Sequence, residues 1–307
     1  MAKDKSHKKV LEKLENFVSP YRVTSGKKFK LKNFDPNDTH KISSEDKPQA
    51  KELLARGTEW LSALQDKLYA QGKWSVLIIV QAMDAAGKDS TIKHVMSGIN
   101  PQGCDVHSFK VPTKEELNHS FLWRYASKTP ERGRIGIFNR SYYEDVLVVR
   151  VHPEQLGTSG IPDELITKNI WDERLEDIAN FEKHLIRNGT IVLKFFLNVS
   201  PDEQKKRFLE RIEKPEKNWK FSSADLKERA HWDEYQKYYE AAIKATATEE
   251  APWYVVPANA KWYTRLIVAA AIAERLGIAD IEYPKINDDQ RADLKVAYDK
   301  LIGESEE

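Results

Sequence analysis

A single cysteine, Cys104, stands among the 307 residues, so no disulfide can form within the chain, and the sequence fits a reducing compartment. No apolar run approaches the roughly 20 residues that a membrane helix needs. The longest, SVLIIV and LIVAAAIA, are the size of a strand and a buried helix. The segment MAKDKSHKKVLEKLENF scatters charge throughout and lacks the apolar centre of a signal peptide. The expectation is a soluble, cytoplasmic protein without a membrane partner. A charge bias is missing too: 49 basic and 48 acidic side chains leave a formal net charge of +1. Polyanion binding must therefore come from local clustering, and a nucleic-acid partner is not expected. His94, His107, His119 and His152 show no metal-ligand spacing and read as structural. Internal repeats and low-complexity tracts are absent.

What is present is a regular alternation of strands and helices. Residues 1–46 read as a polar arm, with SGKK and DPNDTH loop clusters, packed on the domain or partly disordered. Residues 47–307 read as one α/β domain. A helix is expected over Lys47–Gln71, where Leu53, Leu54, Leu61, Leu64 and Leu68 recur at helical spacing. Strands are expected at Ser75–Gln81, Cys104–Phe109, Ile135–Asn139, Thr190–Leu197 and Trp253–Pro257. Helices are expected at Gly87–Gly98, Lys114–Ala126, Asp163–Arg187 and Tyr263–Arg275. Five short apolar strands separated by helices imply a five-stranded parallel sheet covered on both faces. Between the last two strands, residues 201–248 read as a helical lid: a helix opened by Ser200-Pro201-Asp202-Glu203 and stopped at Pro215, then a second through Trp232, Tyr235, Tyr239 and Ile243.

The most informative stretch is SVLIIVQAMDAAGKDST, residues 75–91. A buried strand runs into small residues, then Gly87-Lys88, then a helix, which is the setting of a phosphate-binding loop. Backbone N–H groups of Ala85, Ala86, Gly87, Lys88 and Asp89 can turn around a phosphate, and Lys88 supplies a full positive charge. The usual motif would place glycine at Ala82 and serine or threonine at Asp89, so an ordinary strand–turn–helix remains open. Asp84 and Asp89 bracket the lysine, and a carboxylate beside a phosphate calls for a metal between them. The strand at Ile135–Asn139 ends in NRSYYEDV, where Asn139 occupies the usual acidic position. Arg140 can present a planar fork of donors to phosphate, with Glu144 and Asp145 as the nearest acids.

The combination MDAAGKDS, FLWRYASKTPERGRIGIFNRSYYEDVLVVRVHP and APWYVV resembles the polyphosphate kinase 2 family, from about Lys47 to Gly277. The resemblance implies a thymidylate-kinase-like P-loop core, a three-layer sandwich with a helical lid. It implies transfer of phosphate between inorganic polyphosphate and nucleotides with Mg²⁺, or Mn²⁺ in its place. Ala82 and Asn139 depart from the family's usual patterns, which shifts metal binding to Asp84 and the Glu144/Asp145 pair, with Asp84 and Asp145 as the expected ligands. The run NRSYYED is most similar to the branch that accepts both nucleoside mono- and diphosphates; relatives restricted to diphosphates tend to carry asparagine where this chain has Glu144. A homo-oligomer is expected.

Arg207, Arg211 and Lys214 recur at helical spacing, with Phe208, Leu209 and Ile212 on the other side. Followed by Lys217 and Lys220 in the loop, they read as a basic stripe for a long phosphate chain, or as solvated helix charge paired to Glu203 and Glu210. The resemblance, in which the lid borders a polyphosphate channel, favours the first. Trp219, Trp232, Tyr235 and Trp253 are candidates for stacking on a base or for packing. Catalysis would consist of alignment and charge neutralisation, with Asp84, Lys88, Arg140, Glu144 and Asp145 in the central roles. The two departures keep open an ATP-dependent kinase and a non-catalytic nucleotide- or polyphosphate-binding protein.

Overall fold

The apolar runs build one sheet of six strands: β1 (Arg22–Val23), β2 (Ser75–Gln81), β3 (Cys104–Ser108), β4 (Ile135–Asn139), β5 (Thr190–Asn198) and β6 (Trp253–Pro257). The computed structural model describes residues 2–40, 42–279 and 281–303; residues 1, 41, 280 and 304–307, the start of the expected arm and the end of the expected domain among them, lie outside it. The spatial order is β1-β6-β5-β2-β4-β3. The strands from β2 to β6 run parallel, and β2 is buried along its whole length. Its Val-Leu-Ile-Ile-Val run is apolar on both faces because helices cover both faces of a parallel sheet.

The helices are α1 (Ala2–Val18), α2 (Lys47–Gln71), α3 (Lys88–Val95), α4 (Lys114–Leu117), α5 (Trp123–Ala126), α6 (Val148–Val151) and α7 (Ile170–Arg187). They continue with α8 (Pro201–Glu213), α9 (Pro215–Asn218), α10 (Ser223–Ala230), α11 (Trp232–Thr246), α12 (Lys261–Ile278) and α13 (Asp288–Gly303). α12 packs against α1, α2 and α3, while α7 packs on β5 and α11, which gives the expected three layers. The described residues of α13 are all exposed, Leu294, Val296 and Tyr298 included. No helix of the described residues is long and apolar enough to cross a membrane.

The sheet differs from expectation at one edge. The arm supplies β1, which pairs antiparallel with β6 through Arg22–Tyr254 and Val23–Trp253. Val18, Tyr21, Val23, Phe29 and Leu31 of the arm are buried in the same core as the strands. Inside the arm, the Tyr21 hydroxyl donates to Asp38 and meets the Tyr263 hydroxyl at 2.9 Å, while Arg22 bridges Glu15 and Glu274. The helix expected over Lys114–Ala126 is two single turns, α4 and α5, and the one expected from Asp163 begins at Ile170. The helix expected over Gly87–Gly98 is the shorter α3.

Adjacent strands β2 and β4 send their crossovers to opposite sides, β2 toward β3 and β4 toward β5. At such a switch a crevice opens beyond the carboxyl ends of the strands.

Candidate active site

At the carboxyl end of β2 the chain turns through residues 82–87 and enters α3. The turn is closed by Ala86 N–H donating to Met83 at 3.3 Å. Ala85 takes φ +59° and Gly87 φ +108°. The left-handed region costs an alanine about 1–2 kcal/mol and a glycine far less, so Ala85 is held there by its surroundings. Lys88 opens α3 and is half-buried; its Nζ donates to the Ala82 carbonyl at 2.9 Å. Burial, then the charge of Arg140, hold its pKa below the usual lysine value, against the pull of Asp84, Glu144 and Asp89. It is thus no loose surface side chain.

The carboxyl end of β4 supplies the opposite wall. Asn139 donates to Asp89 at 2.8 Å, so these two departures from the usual motif pair with each other. Arg140 also takes a left-handed φ of +67°, uncommon for a large side chain and typical of functional turns. Its guanidinium donates to Glu144 at 3.1 Å and to Asp84 at 3.2 Å. Glu144 is the main reason that its pKa lies even higher than usual. The chain then enters a short 3₁₀ turn, Tyr142–Val146, capped by the Ser141 hydroxyl. Tyr142 and Tyr143 point away from the site and donate to buried Glu182, which pairs with buried Lys194, so the turn that carries Glu144 is anchored beneath.

Asp145 sits deeper. Tyr125 donates to its carboxylate at 3.0 Å, and Arg174 stands 3.9 Å away and donates to its backbone carbonyl at 2.9 Å. Burial pushes the Asp145 carboxyl up to about 6, and Arg174 and Tyr125 oppose that rise.

Asp84, Lys88, Arg140, Glu144 and Asp145 share the lining of one cavity of about 930 Å³. Nine cationic side chains and five carboxylates line it, so the site is locally basic although the whole chain is nearly neutral. A second cavity of about 440 Å³ adjoins it, with Pro112, Arg124 and Asp145 lining both. Leu117, Phe121, Ile161, Leu165 and Ile170 make much of its wall apolar.

The lid corrects the expected basic stripe. Arg207 is buried, and all five of its N–H donors are engaged by Glu203 and by the carbonyls of Ala85, Ala86, Ala258 and Asn259. Arg211 pairs with Asp225 at 3.0 Å, and Lys214 pairs with Glu210 at 2.7 Å and is absent from the cavity lining. Leu209 and Ile212, expected to pack, are about half exposed; of that face only Phe208 is buried. Arg207 and Arg211 border the cavity with their donors engaged, and Lys217, Lys220 and Lys261 line it beside them, Lys217 sharing Glu210 with Lys214 at 2.7 Å. Of the stacking candidates, Trp219 lines the cavity and is 78% exposed, whereas Tyr235 and Trp253 belong to the core.

For a hard divalent cation, Asp84 offers carboxylate Oδ2, which accepts no hydrogen bond from a described residue, while Oδ1 holds Arg140. Asp145 fits less well, because Tyr125 and Arg174 already occupy its carboxylate. Among the described residues no three His, Cys, Asp or Glu side chains converge.

Arg124, Tyr125, Arg174, Gln204 and Lys261 are site residues that no spacing revealed. Lys261 alone carried a signal, its place just beyond the carboxyl end of the last strand.

Three comparisons bear on this geometry. The family model described as Polyphosphate kinase 2 (PPK2) matches residues 41–284. An ADP-polyphosphate phosphotransferase of Rhodopseudomonas palustris is 52% identical over 84% of this chain and 90% of its own length. An AMP/ADP-polyphosphate phosphotransferase of Meiothermus ruber is 47% identical over 87% and 96%. The crystal structure of polyphosphate kinase 2 from Arthrobacter aurescens TC1 superposes with a TM-score of 0.82 at 40% identity, covering 90% of this chain and 95% of that one.

Proposed function

The chain belongs to the polyphosphate kinase 2 family, and on that premise we propose that it transfers the terminal phosphoryl group of inorganic polyphosphate to both AMP and ADP in the cavity between Lys88 and Arg140. It is a polyphosphate-dependent nucleotide phosphotransferase with a P-loop kinase fold. The observation that carries the site assignment is the basic lining of that one cavity, in a chain without net charge bias.

The acceptor is a phosphate oxygen, already anionic at neutral pH, so the reaction needs alignment and charge neutralisation rather than a strong base. Lys88 and Arg140 stand on opposite walls and neutralise the transferring group. Arg140 is pre-aimed by Asp84 and Glu144, which keeps reorganisation small when phosphate arrives. Asp84, with Asp145 beside it, would hold Mg²⁺, which when bound would supply further neutralisation of phosphate charge. The nucleoside occupies the adjoining cavity, whose apolar wall suits a base. One anhydride is exchanged for another, so the equilibrium lies near balance.

Polyphosphate runs outward past Lys217, Lys220 and Lys261. Lys220 rests 4.9 Å from the Trp219 ring centre, and Lys261 is a cation that no described carboxylate bridges. The test of activity is direct: protein, Mg²⁺ and polyphosphate are incubated with AMP or with ADP, and ATP is measured. ATP from both acceptors is expected, and none from either would overturn the proposal.

The variant Lys217→Gln/Lys220→Gln/Lys261→Gln should weaken polyphosphate binding much more than nucleotide binding. Every lysine that meets a phosphate in the parent should, once neutralised, flatten the plot of log affinity against log salt by about one. Equal salt slopes in parent and variant would mean that the three lysines are only solvated surface.

A further inference from the structure

The first helix of the lid does not stand off from the phosphate loop; it holds the loop by its carbonyls. α8 is fixed at its start, where the Ser200 N–H donates to the Asn259 side chain at 3.0 Å and Asn259 donates back to the Ser200 hydroxyl at 3.0 Å. From that anchored turn Gln204 donates to the Asp84 carbonyl at 3.0 Å. One helical turn further, Arg207 donates to the carbonyls of Ala85 at 2.9 Å and Ala86 at 2.7 Å. The other arm of the same guanidinium holds Ala258 and Asn259, and its Nε holds Glu203. Three successive loop carbonyls are therefore turned toward one helix.

In a trans peptide the carbonyl and the following N–H point in opposite directions. Holding the carbonyls of residues 84–86 on α8 thus directs the N–H groups of residues 85–87 away from it. That of Ala86 closes the turn to Met83, and those of Ala85 and Gly87 are left for an anion together with the first N–H groups of α3. The loop needs such an external hold. It has alanine rather than glycine at 82, and Ala85 itself sits at positive φ.

We infer that Arg207, seconded by Gln204, is a positioning residue: it clamps the phosphate loop in its anion-binding shape and does not itself touch polyphosphate. The inference deepens the proposed function and rests on it for the kinetic readout. Lysine cannot replace the arginine, because one ammonium offers three donors from a point where the planar fork reaches two pairs of carbonyls on different elements.

The test is Arg207→Lys, with Gln204→Met as a milder second variant that removes the bond to Asp84. Turnover with polyphosphate and ADP should fall about 100-fold in Arg207→Lys, the scale of a displacement near 1 Å at a reacting centre. KM for polyphosphate should stay within about threefold, and its salt slope should match the parent, because the cations that meet polyphosphate are the same in both proteins. Amide hydrogen exchange across residues 82–91 should quicken at least about tenfold as the loop is released. A tenfold or larger loss of polyphosphate affinity with a shallower salt slope would make Arg207 a direct ligand and overturn the inference. So would unchanged exchange in the loop. If the parent itself makes no ATP from polyphosphate, the proposed function fails, and the exchange data alone decide on the clamp. If Arg207→Lys does not fold by circular dichroism, Gln204→Met carries the same comparisons, with turnover expected about tenfold down.

Discussion

Lys88→Ala should lower kcat at least about 100-fold, a loss of about 2.7 kcal/mol of transition-state stabilisation. The ammonium stands at the start of α3, opposite Arg140, with its proton already directed by the Ala82 carbonyl. In that position it meets the charge that builds up on the transferring group without first being stripped of water. Alanine keeps the backbone N–H groups of the loop and removes only the mobile charge. The effect should therefore appear in kcat more than in KM. Stability should change modestly, because a single hydrogen bond to the Ala82 carbonyl goes, worth about 1 kcal/mol. The check is steady-state turnover for parent and variant beside their thermal midpoints. Turnover close to the parent's, in a folded variant, would remove the phosphate loop from the mechanism.

Glu144→Asn should depress phosphorylation of AMP much more than that of ADP, and the ratio of the two kcat/KM values should fall at least about tenfold. Glu144 lies in the first turn after Ser141 and touches Arg140 at 3.1 Å. Two carboxylates, Asp84 and Glu144, hold that guanidinium, so removing one charge leaves it aimed but less neutralised. A monophosphate acceptor lacks one charged group that a diphosphate places in the site. A fixed carboxylate can hold a cation or an ordered water in that gap, whereas a carboxamide is neutral and a far weaker ligand for a hard cation. The measurement is made at one Mg²⁺ concentration with both acceptors. A ratio that stays the same, even with both activities reduced, would assign Glu144 to the common chemistry rather than to the choice of acceptor.

Four of the five parallel strands, β2, β4, β5 and β6, were legible because each is a short apolar run bounded by turn residues and largely buried, as β2 shows, whereas the edge strand β3 is partly exposed along its length. The loop at 82–88 and the turn at Arg140 were legible for a related reason: both follow such strands at their carboxyl ends. β1 was not, since two residues carry no periodicity and Arg22–Val23 becomes a strand only through its pairing with β6. The break between α4 and α5 was hidden because nothing in Asn118-His119-Ser120 forbids helix. The lid misled in a more instructive way. Helical spacing places Arg207, Arg211 and Lys214 on a common face, but it says nothing about what stands opposite. For Arg207 that is a set of carbonyls more than a hundred residues earlier in the chain, which turns a surface cation into an internal strut. Lys217 and Lys220 were legible as the continuation of the stripe into the loop, whereas Lys261, at the start of α12, joins them only through tertiary structure. Position after the strand marked Asp145 as an acid of the site, but not that Tyr125 donates to its carboxylate, which only the tertiary structure shows.

The antiparallel strand β1 also sets the order in which the molecule can be completed. Its partner β6 and the helix that receives α1 lie near the other end of the chain; the Tyr21–Tyr263 contact joins residues 242 apart. During synthesis the arm emerges before β6 and α12 and must wait until both have been made. Until then β6, once formed, would present unpaired backbone N–H and C=O groups between apolar side chains, the kind of edge that recruits strands from other chains. Docking of the arm is thus the closing event of assembly, and it converts a sticky border into a finished one.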